Sequence, residues 1–451
     1  MTAAVTPGVE SATAPDHAPP FSRAYTRYAM GLLLGIYIVN FLDRQVINIL
    51  AEPIKRDLGL SDTALGLMSG LAFALFYTVL GIPLARLAER KNRAYIIGGS
   101  VAVWSGFTAL CATAGNFWQL VLYRIGVGVG EAGCTPPAHS LIVDYVPKEK
   151  RSSALAFYSM GTPLGSLLGL VLGGLIADAY GWRMAFLVAG LPGIVFAILA
   201  FTTLKEPRRI LARHAEQVKA AQATFGETVR YLTAKPTFWL IALGAAIKAF
   251  IGYGHAPFTA SFFLRVHEGE IAALAAGFGL GPVGFLGLAL GIIAGVGGAL
   301  GAWLGGWIAD AVGKTNVGNH MVTPAIASLA GVPVYCAAVL VDSALVALAL
   351  LTLSYFLGTM WYGPVYGTAQ SIVPPHMRAT GAAILLFIVN LVGLGLGPLA
   401  VGALSDWLNV GQGLGSAEGI RWALIAAACT GVLAFLGFWL ARRTLPVDSV
   451  S

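Results

Sequence analysis

The chain has 451 residues and a formal net charge of +7; 57% of its residues are hydrophobic, whereas only 11% are charged. The mean hydropathy of +0.77 excludes an ordinary soluble domain, in which about 25% of residues are charged. The basic residues lie in short loops between apolar segments, which excludes a nucleic-acid-binding role and predicts a multi-pass membrane protein.

The first 27 residues are rich in Pro, Ala and Thr and lack the basic start of a signal peptide. We interpret them as a disordered cytoplasmic tail. Downstream, twelve segments reach the roughly 20 apolar residues that a spanning helix requires. They are 28–50, 62–85, 94–114, 117–143, 151–177, 183–204, 237–264, 285–309, 319–340, 343–372, 378–404 and 420–441. The stretch 265–284 either extends a helix or forms an external connection with a short helix of its own.

Most of the 28 Lys and Arg residues fall in the loops that are cytoplasmic if both termini lie inside, which fixes the expected orientation. One long polar connector, residues 205–236, divides the chain into two halves. It forms either a helix on the membrane face or a solvated linker helix. The expected organisation is an all-α membrane protein with a tail (1–27), a six-helix bundle (28–204), a cytoplasmic linker (205–236), a second six-helix bundle (237–441) and a second tail (442–451).

Four full charges interrupt the first and fourth segments. Asp43 and Arg44 lie in GLLLGIYIVNFLDRQVINIL, and Arg124 and Glu131 lie in LVLYRIGVGVGEAGC. Each charge costs about 2.5–3.5 kcal/mol at the centre of a membrane helix on insertion scales, so such residues usually mark an ion or substrate path. These four side chains are therefore the first candidates for a functional site.

Counting at about 1.5 Å per residue places Asp43, Arg44 and Arg124 at one level in the outer half of the membrane. The same count places Glu131 deeper, near the midplane, with no arginine at its own depth. Arg124 and Glu131 are seven residues apart and share a helix face. We expect two carboxylates at different heights along one cavity wall, with the arginines above the deeper one.

Asp43 and Glu131 are candidate proton-coupling groups, because a carboxylate that moves between apolar and cationic surroundings can bind and release a proton. Arg44 and Arg124 are candidate substrate-binding groups, since a guanidinium binds phosphate or carboxylate through two hydrogen bonds. The alternative is a static buried ion pair that only fixes helix packing.

Further candidates for substrate binding are polar or aromatic residues within spans. Lys248 either faces the cavity or extends toward the interface, and aromatic residues also occur in lipid-facing belts. Pro136 and Pro137, just after Glu131, predict a hinge or a fixed kink. The remaining candidates are Asn40, Tyr37, Thr135, Tyr158, Trp361 and Tyr362.

The two halves resemble each other at three places. Residues 66–93 align without gaps on 287–314, and VPKEKR (146–151) aligns on VPPHMR (373–378). GGLIAD (173–178) then aligns on VGALSD (401–406). Parallel six-span repeats are typical of one transporter architecture.

The repeated loops carry charges at the cytoplasmic helix ends, where they can hold one arrangement of the bundles and release it in another. Ordinary positive-inside charge is the alternative interpretation. The candidate gating residues are Glu89, Arg90, Arg93, Asp144, Arg151, Asp310, Lys314 and Arg378.

ARLAERKNR (85–93) and its copy GWIADAVGK (306–314) resemble the signature loop of the major facilitator superfamily. The loops depart from the family pattern at Ala85, Glu89 and Ala311, which predicts a weaker latch in the second half. NFLDRQVINIL (40–50) and the segment that begins RIGVGVGEAGCTPP at Arg124 resemble the Spinster family. That resemblance covers the first half well, whereas the second half is similar mainly in general architecture.

The resemblance implies twelve helices in two bundles, and a transporter rather than an enzyme. Since Spinster proteins include exporters of sphingosine-1-phosphate and lysophospholipids, it suggests proton-coupled, alternating-access transport of an amphipathic or lipid-like anion. A proton-coupled carrier of small organic anions is the alternative. We expect protons and membrane lipids as partners, no nucleic acid, no cofactor, no metal, a monomer, and a bacterial inner-membrane location.

Overall fold

The computed structural model of the chain describes residues 21–147, 150–208 and 224–449. Helices form the regular structure of these residues. The first half contains α1 (Arg23–Leu58), α2 (Asp62–Arg90), α3 (Arg93–Cys111), α4 (Phe117–Glu131), α5 (Thr135–Tyr145), α6 (Ser153–Tyr180) and α7 (Trp182–Thr203).

The second half begins with the short helix α8 (Phe225–Thr233), whose first turn is closed by a capping box between Thr224 and Glu227. It continues with α9 (Pro236–Val266), α10 (Glu268–Gly277), α11 (Pro282–Gly313), α12 (Val317–Leu340), α13 (Ala344–Ser371), α14 (Thr380–Gly411) and α15 (Ser416–Asp448). Most of the predicted linker, residues 209–223, lies outside the described residues.

Eleven of the described helices are long and apolar enough to cross a membrane. The predicted fourth span is divided, because α4 ends at Glu131 and α5 begins at Thr135. Pro136 and Pro137 occupy the first turn of α5, where a missing N–H costs nothing. A similar interruption at Met360 and Trp361 divides α13, the fourth span of the second half. The all-helical fold class is confirmed.

Several helix ends differ from those that hydropathy predicts. α1 begins at Arg23 rather than residue 28, and α15 continues through residues 442–448 of the predicted tail. The reason is that hydropathy marks the apolar part of a helix, whereas hydrogen bonding continues into the polar ends. Asp448 stabilises the extension by accepting a hydrogen bond from the backbone N–H of Thr237 at 3.0 Å. The stretch 265–284 forms a connection with its own helix, α10.

Glycines bring α6 close to α1. A Cβ added at Gly165 would lie 2.7 Å from Cβ of Phe41, and one added at Gly169 would lie 2.6 Å from the carbonyl oxygen of Leu42. Small residues at such positions let two membrane helices approach along their backbones. The opposite face of α6 packs on α11 of the second half, and α2 packs on α14.

In the described part of the chain, every hydrogen bond and ion pair that joins the two halves lies at one end of the helices, the end predicted to face away from the cytoplasm. We call this end the outer face. The two halves are thus joined at the outer face. The four charged residues Asp43, Arg44, Arg124 and Glu131 of the first half lie below that junction.

Candidate functional site

The structure brings Arg44 of α1 against Glu131 of α4, with Nε of Arg44 2.5 Å from Oε2 of Glu131. The prediction that Glu131 has no arginine at its depth is therefore wrong. Depth counting started α1 at residue 28 and ignored the length of the arginine side chain, which carries its charge several ångströms from the backbone. Glu131 is 1% exposed, so its carboxylate forms this ion pair out of contact with solvent.

Aromatic rings surround the two arginines. The guanidinium carbon of Arg44 lies 4.5 Å from the ring centre of Tyr77 and 5.0 Å from that of Phe73. The guanidinium carbon of Arg124 lies 5.2 Å from the same Phe73 ring. A ring face attracts a cation, and the attraction is stronger where water is excluded. Phe73 and Tyr77 were missed by the sequence analysis, although their spacing of four residues in the second span places them on one helix face.

Several polar atoms of the buried cluster have no hydrogen-bond partner among the residues that the structure describes. Asp43 accepts a hydrogen bond from the hydroxyl of Thr108 through Oδ2 at 3.0 Å, whereas its Oδ1 has none. Oε1 of Glu131 and both Nε and Nη1 of Arg124 are also buried and unpaired. An unpaired buried polar atom costs about 1–3 kcal/mol, and more when it is charged. The cluster therefore holds unused capacity to bind a proton or an anion.

Glu131 is the last residue of α4, immediately before the interruption at Ala132–Cys134. The prolines that follow were expected to loosen the fourth span at this point, and the structure places the break there. A change in the angle between α4 and α5 would move the Glu131 carboxylate relative to Arg44.

The other candidate binding residues do not form a single cluster with these four charges. Tyr37 of α1 stacks on Tyr158 of α6 with ring centres 4.3 Å apart, and the buried Tyr158 hydroxyl has no hydrogen-bond partner in the described ranges. Trp361 and Tyr362 stack on each other at 4.3 Å in the second half. Asn40 lies on the buried face of α1 and Thr135 begins α5.

Lys248 of α9 is 9% exposed, and no carboxylate of the described residues lies within 4.0 Å of its ammonium. Tyr253, one helix turn or so farther along α9, packs against the apolar cores of both halves. α9 thus carries a buried cation in the second half. Among the described residues, no group of three His, Cys, Asp or Glu side chains is placed to hold a metal ion.

Among the candidate gating residues of the first half, Arg93 pairs with one other, Asp144, and is itself 1% exposed. Its guanidinium pairs with Asp144 at 2.7 Å, with the hydroxyl of Ser140 at 2.6 Å, and with Glu206. Glu206 was missed, because it lies 113 residues away in the linker sequence KEPRR. Burial raises the pKa of the Glu206 carboxyl, but hydrogen bonds from Arg93 outweigh burial and hold that pKa below its usual range.

The remaining gating candidates make weaker contacts. Arg151 donates a hydrogen bond to the carbonyl of Val143 at 3.1 Å, and Arg378 donates one to the carbonyl of Val373 at 3.2 Å. The side chain of Asp310 is 81% exposed and lies 3.8 Å from His320. The residues Glu89, Arg90 and Lys314 are exposed.

Arg265, at the outer end of α9, connects the two halves. Its Nη2 lies 2.6 Å from Glu52 of α1 and 2.8 Å from Asp62 of α2. Lys55 also pairs with Asp62, at 2.5 Å. This cluster was not predicted from the sequence, because its residues lie at the ends of three different predicted segments. The ion pairs close the outer face above the Arg44–Glu131 site.

Comparison with known proteins identifies the same architecture. The family model of the Major Facilitator Superfamily matches residues 33–398. An MFS-type efflux pump of Mycolicibacterium smegmatis is 32% identical over 437 residues, which cover 96% of this chain and 97% of the pump. Protein spinster homolog 1 of Bos taurus is 27% identical over 442 residues, covering 92% of this chain and 81% of that protein.

Among solved structures, the chain is similar to a bacterial homolog of the human lysosomal transporter Spinster in an inward-facing and unoccupied conformation. The sequence identity is 33% and the TM-score is 0.84, with 96% of this chain and 100% of that chain covered. The similarity to an inward-facing structure agrees with the closed outer face.

Proposed function

This chain belongs to the Major Facilitator Superfamily, and we propose that it is a proton-coupled secondary transporter that moves an amphipathic or lipid-like anion by alternating access. The superfamily membership makes the protein a membrane transporter rather than an enzyme. Coupling to protons and the class of the substrate are our proposal.

The observation that carries the proposal is the cluster of Asp43, Arg44, Arg124 and Glu131, in which one ion pair is formed and the other charges keep unpaired atoms. Four buried charges are costly in a membrane, and the fold has not neutralised them by a complete set of static pairs. A cluster whose sole role was helix packing is expected to satisfy its donors and acceptors.

Proton binding and substrate binding are coupled because the Glu131 carboxylate and the substrate anion compete for Arg44. When Glu131 is ionised, its carboxylate occupies Nε of Arg44. When Glu131 takes up a proton, the attraction between the two groups weakens and the guanidinium becomes available to a phosphate or carboxylate of the substrate. Proton binding and anion binding therefore favour each other, and by linkage each raises the affinity for the other equally.

Arg124 supports an anion-binding role for the same cluster. It is 2% exposed, and its Nε and Nη1 point to no acceptor of the described residues. An anion that bridges Arg44 and Arg124 would lie beside Phe73, whose ring both guanidiniums contact. Apolar and aromatic side chains around this point suit a substrate that carries a hydrophobic part next to its charged group.

A carrier of small organic anions is the second candidate. The near-complete burial of Arg124 favours it, because an enclosed guanidinium can bind a compact carboxylate more readily than the bulky headgroup of a lipid. The same proton linkage would operate in that case.

Transport assays in reconstituted vesicles distinguish a carrier of lipid-like anions from a carrier of small organic anions. We expect a pH gradient to drive movement of a fluorescent lysophospholipid, and we expect Asp43→Asn and Glu131→Gln to abolish the pH dependence while the protein stays folded in detergent. Movement of a hexuronate but not the lysophospholipid would favour the small-anion carrier. Unchanged pH dependence in both variants would rule out coupling through this cluster.

A further inference from the structure

Two aspartates at the outer face receive backbone hydrogen bonds from the opposite half of the molecule. Asp178, near the end of α6, accepts from the N–H of Gly284 at 2.6 Å and of Val283 at 3.3 Å, in the first turn of α11. Asp406, in α14, accepts from the N–H of Asp62 at 3.0 Å and of Thr63 at 2.7 Å, in the first turn of α2. Each carboxylate therefore closes the start of a helix that belongs to the other half.

The internal repeat relates the two contacts. The alignment that pairs residue 173 with 401 also pairs Asp178 with Asp406. The alignment that pairs residue 66 with 287 pairs Asp62 and Thr63 with Val283 and Gly284 when it is extended toward the helix starts. Both the acceptors and the donors are thus equivalent positions of the two halves, so the same contact occurs twice, once in each direction between the halves.

A glycine four residues before each aspartate permits the contact. A Cβ added at Gly174 would lie 2.6 Å from the carbonyl oxygen of Val283, and one added at Gly402 would overlap the carbonyl oxygen of Asp62. Residues four apart lie on one helix face. The segments GLIAD (174–178) and GALSD (402–406) therefore share the pattern G-x-x-x-D, in which glycine brings the backbones together and aspartate binds the helix start.

The physical effect of such a contact is that of a helix cap. The first N–H groups of a helix have no partner within it, and its start carries a partial positive charge. Asp406 satisfies two of these groups in α2, which continues to Arg90, and Asp178 satisfies two in α11, which continues to Gly313. Proline at position 282, the first residue of α11, has no N–H to satisfy.

We propose that these two G-x-x-x-D segments form a pair of interlocking helix caps that hold the outer face closed and set the equilibrium between inward- and outward-facing states. The caps join opposite halves, so separation of the halves at the outer face must break both. Removal of a capping side chain typically shifts a helix equilibrium by about fivefold. Each cap is expected to favour the closed outer face by that factor.

Asp178 offers the cleaner test, because Asp62 at the other cap also takes part in the Arg265 ion cluster. The reporter is Ser405→Cys, in a protein whose Cys111, Cys134, Cys336 and Cys429 are replaced by serine. Ser405 is 0% exposed and donates a hydrogen bond to Asp62 at 2.7 Å, beside the Asp406 cap. Its reaction with a water-soluble maleimide therefore requires opening of the outer face at the cap that was not altered.

Asp178→Ala is expected to accelerate labelling about fivefold. Asp178→Asn keeps one acceptor oxygen for the two N–H groups and is expected to give an intermediate rate. Gly174→Ala gives a second route to the same result by forcing the backbones apart. Asp57→Ala is the matched control, since this outer carboxylate binds Arg183 and Trp182 within its own half and should leave the rate unchanged.

The proposal is overturned if Asp178→Ala and Gly174→Ala both label at the wild-type rate in monodisperse protein. Equal acceleration by Asp57→Ala would also overturn it, because the effect would then reflect general loss of outer charge. Acceleration by Asp178→Asn equal to that by Asp178→Ala would likewise overturn it, because the hydrogen bond that asparagine retains would then contribute nothing. The measurement needs no substrate, so its outcome is independent of the proposed function.

Discussion

The guanidinium of Arg44 lies 2.5 Å from the carboxylate of Glu131, although 87 residues separate them in the sequence. Within the described part of the chain, Arg124, on the same helix as Glu131, makes no ion pair and keeps two unpaired nitrogens. The structure thus pairs Glu131 with one of two available arginines.

Loss of Arg44 should destabilise the fold through the charge that it leaves behind. Arg44→Ala strands an ionised Glu131 in a site that is 1% exposed, and breaking a buried pair in this way costs about 3–5 kcal/mol. Thermal unfolding in detergent measures the effect. The double variant Arg44→Ala/Glu131→Gln should recover much of the loss because no unpaired charge remains, and absence of any recovery would contradict a buried ionic contact.

Stability in acid should depend on Glu206. Its pKa is held below the usual range by Arg93, so the stabilisation is complete above the unfolded pKa of about 4.3 and is lost as the pH falls through the lower, folded-state value. The midpoint of thermal unfolding should fall with pH in that acid range for wild type and fall less for Glu206→Gln. Asp310→Asn, at an exposed carboxylate of the second half, is the control. Parallel curves for wild type and Glu206→Gln would refute the role of the pair.

Adding a single methyl group at the close contact between α6 and α1 should destabilise the folded protein. Gly169→Ala places Cβ 2.6 Å from the carbonyl oxygen of Leu42, which forces the helices apart and should cost about 1–3 kcal/mol. Gly306→Ala is the matched control, because no atom of the described residues lies within 4 Å of its added Cβ. Urea or thermal unfolding compares the two. Equal stability of both variants would show that the glycine face is not required for packing.

Much of the fold follows from the sequence. Apolar length predicts the helices, and the prolines at 136 and 137 predict the interruption after Glu131. The four charged residues are recognisable in the sequence because a charge inside a membrane helix is energetically costly. Their pairing is not predictable from helical rise, because tilt, true helix ends and side-chain reach decide which arginine meets Glu131.

Contacts between distant segments account for what the sequence analysis missed. Glu206 looks like part of a polar linker until α3 and the end of α7 are brought together. Asp178 and Asp406 are recognisable as a repeated pair, but only the packing of α6 on α11 and of α14 on α2 shows which helix start each one binds.

The central claim, that a proton on Glu131 releases Arg44 for an anion, is tested most directly by anion binding as a function of pH. Lysophospholipid binding to protein in nanodiscs would be measured between about pH 5 and about pH 8. The controls are Glu227→Gln, at an exposed residue of α8, and Arg44→Gln. The account predicts that wild type and Glu227→Gln bind more tightly as the pH falls, that Asp43→Asn/Glu131→Gln binds tightly at every pH, and that Arg44→Gln binds weakly throughout. A wild-type pH dependence in Asp43→Asn/Glu131→Gln would contradict it.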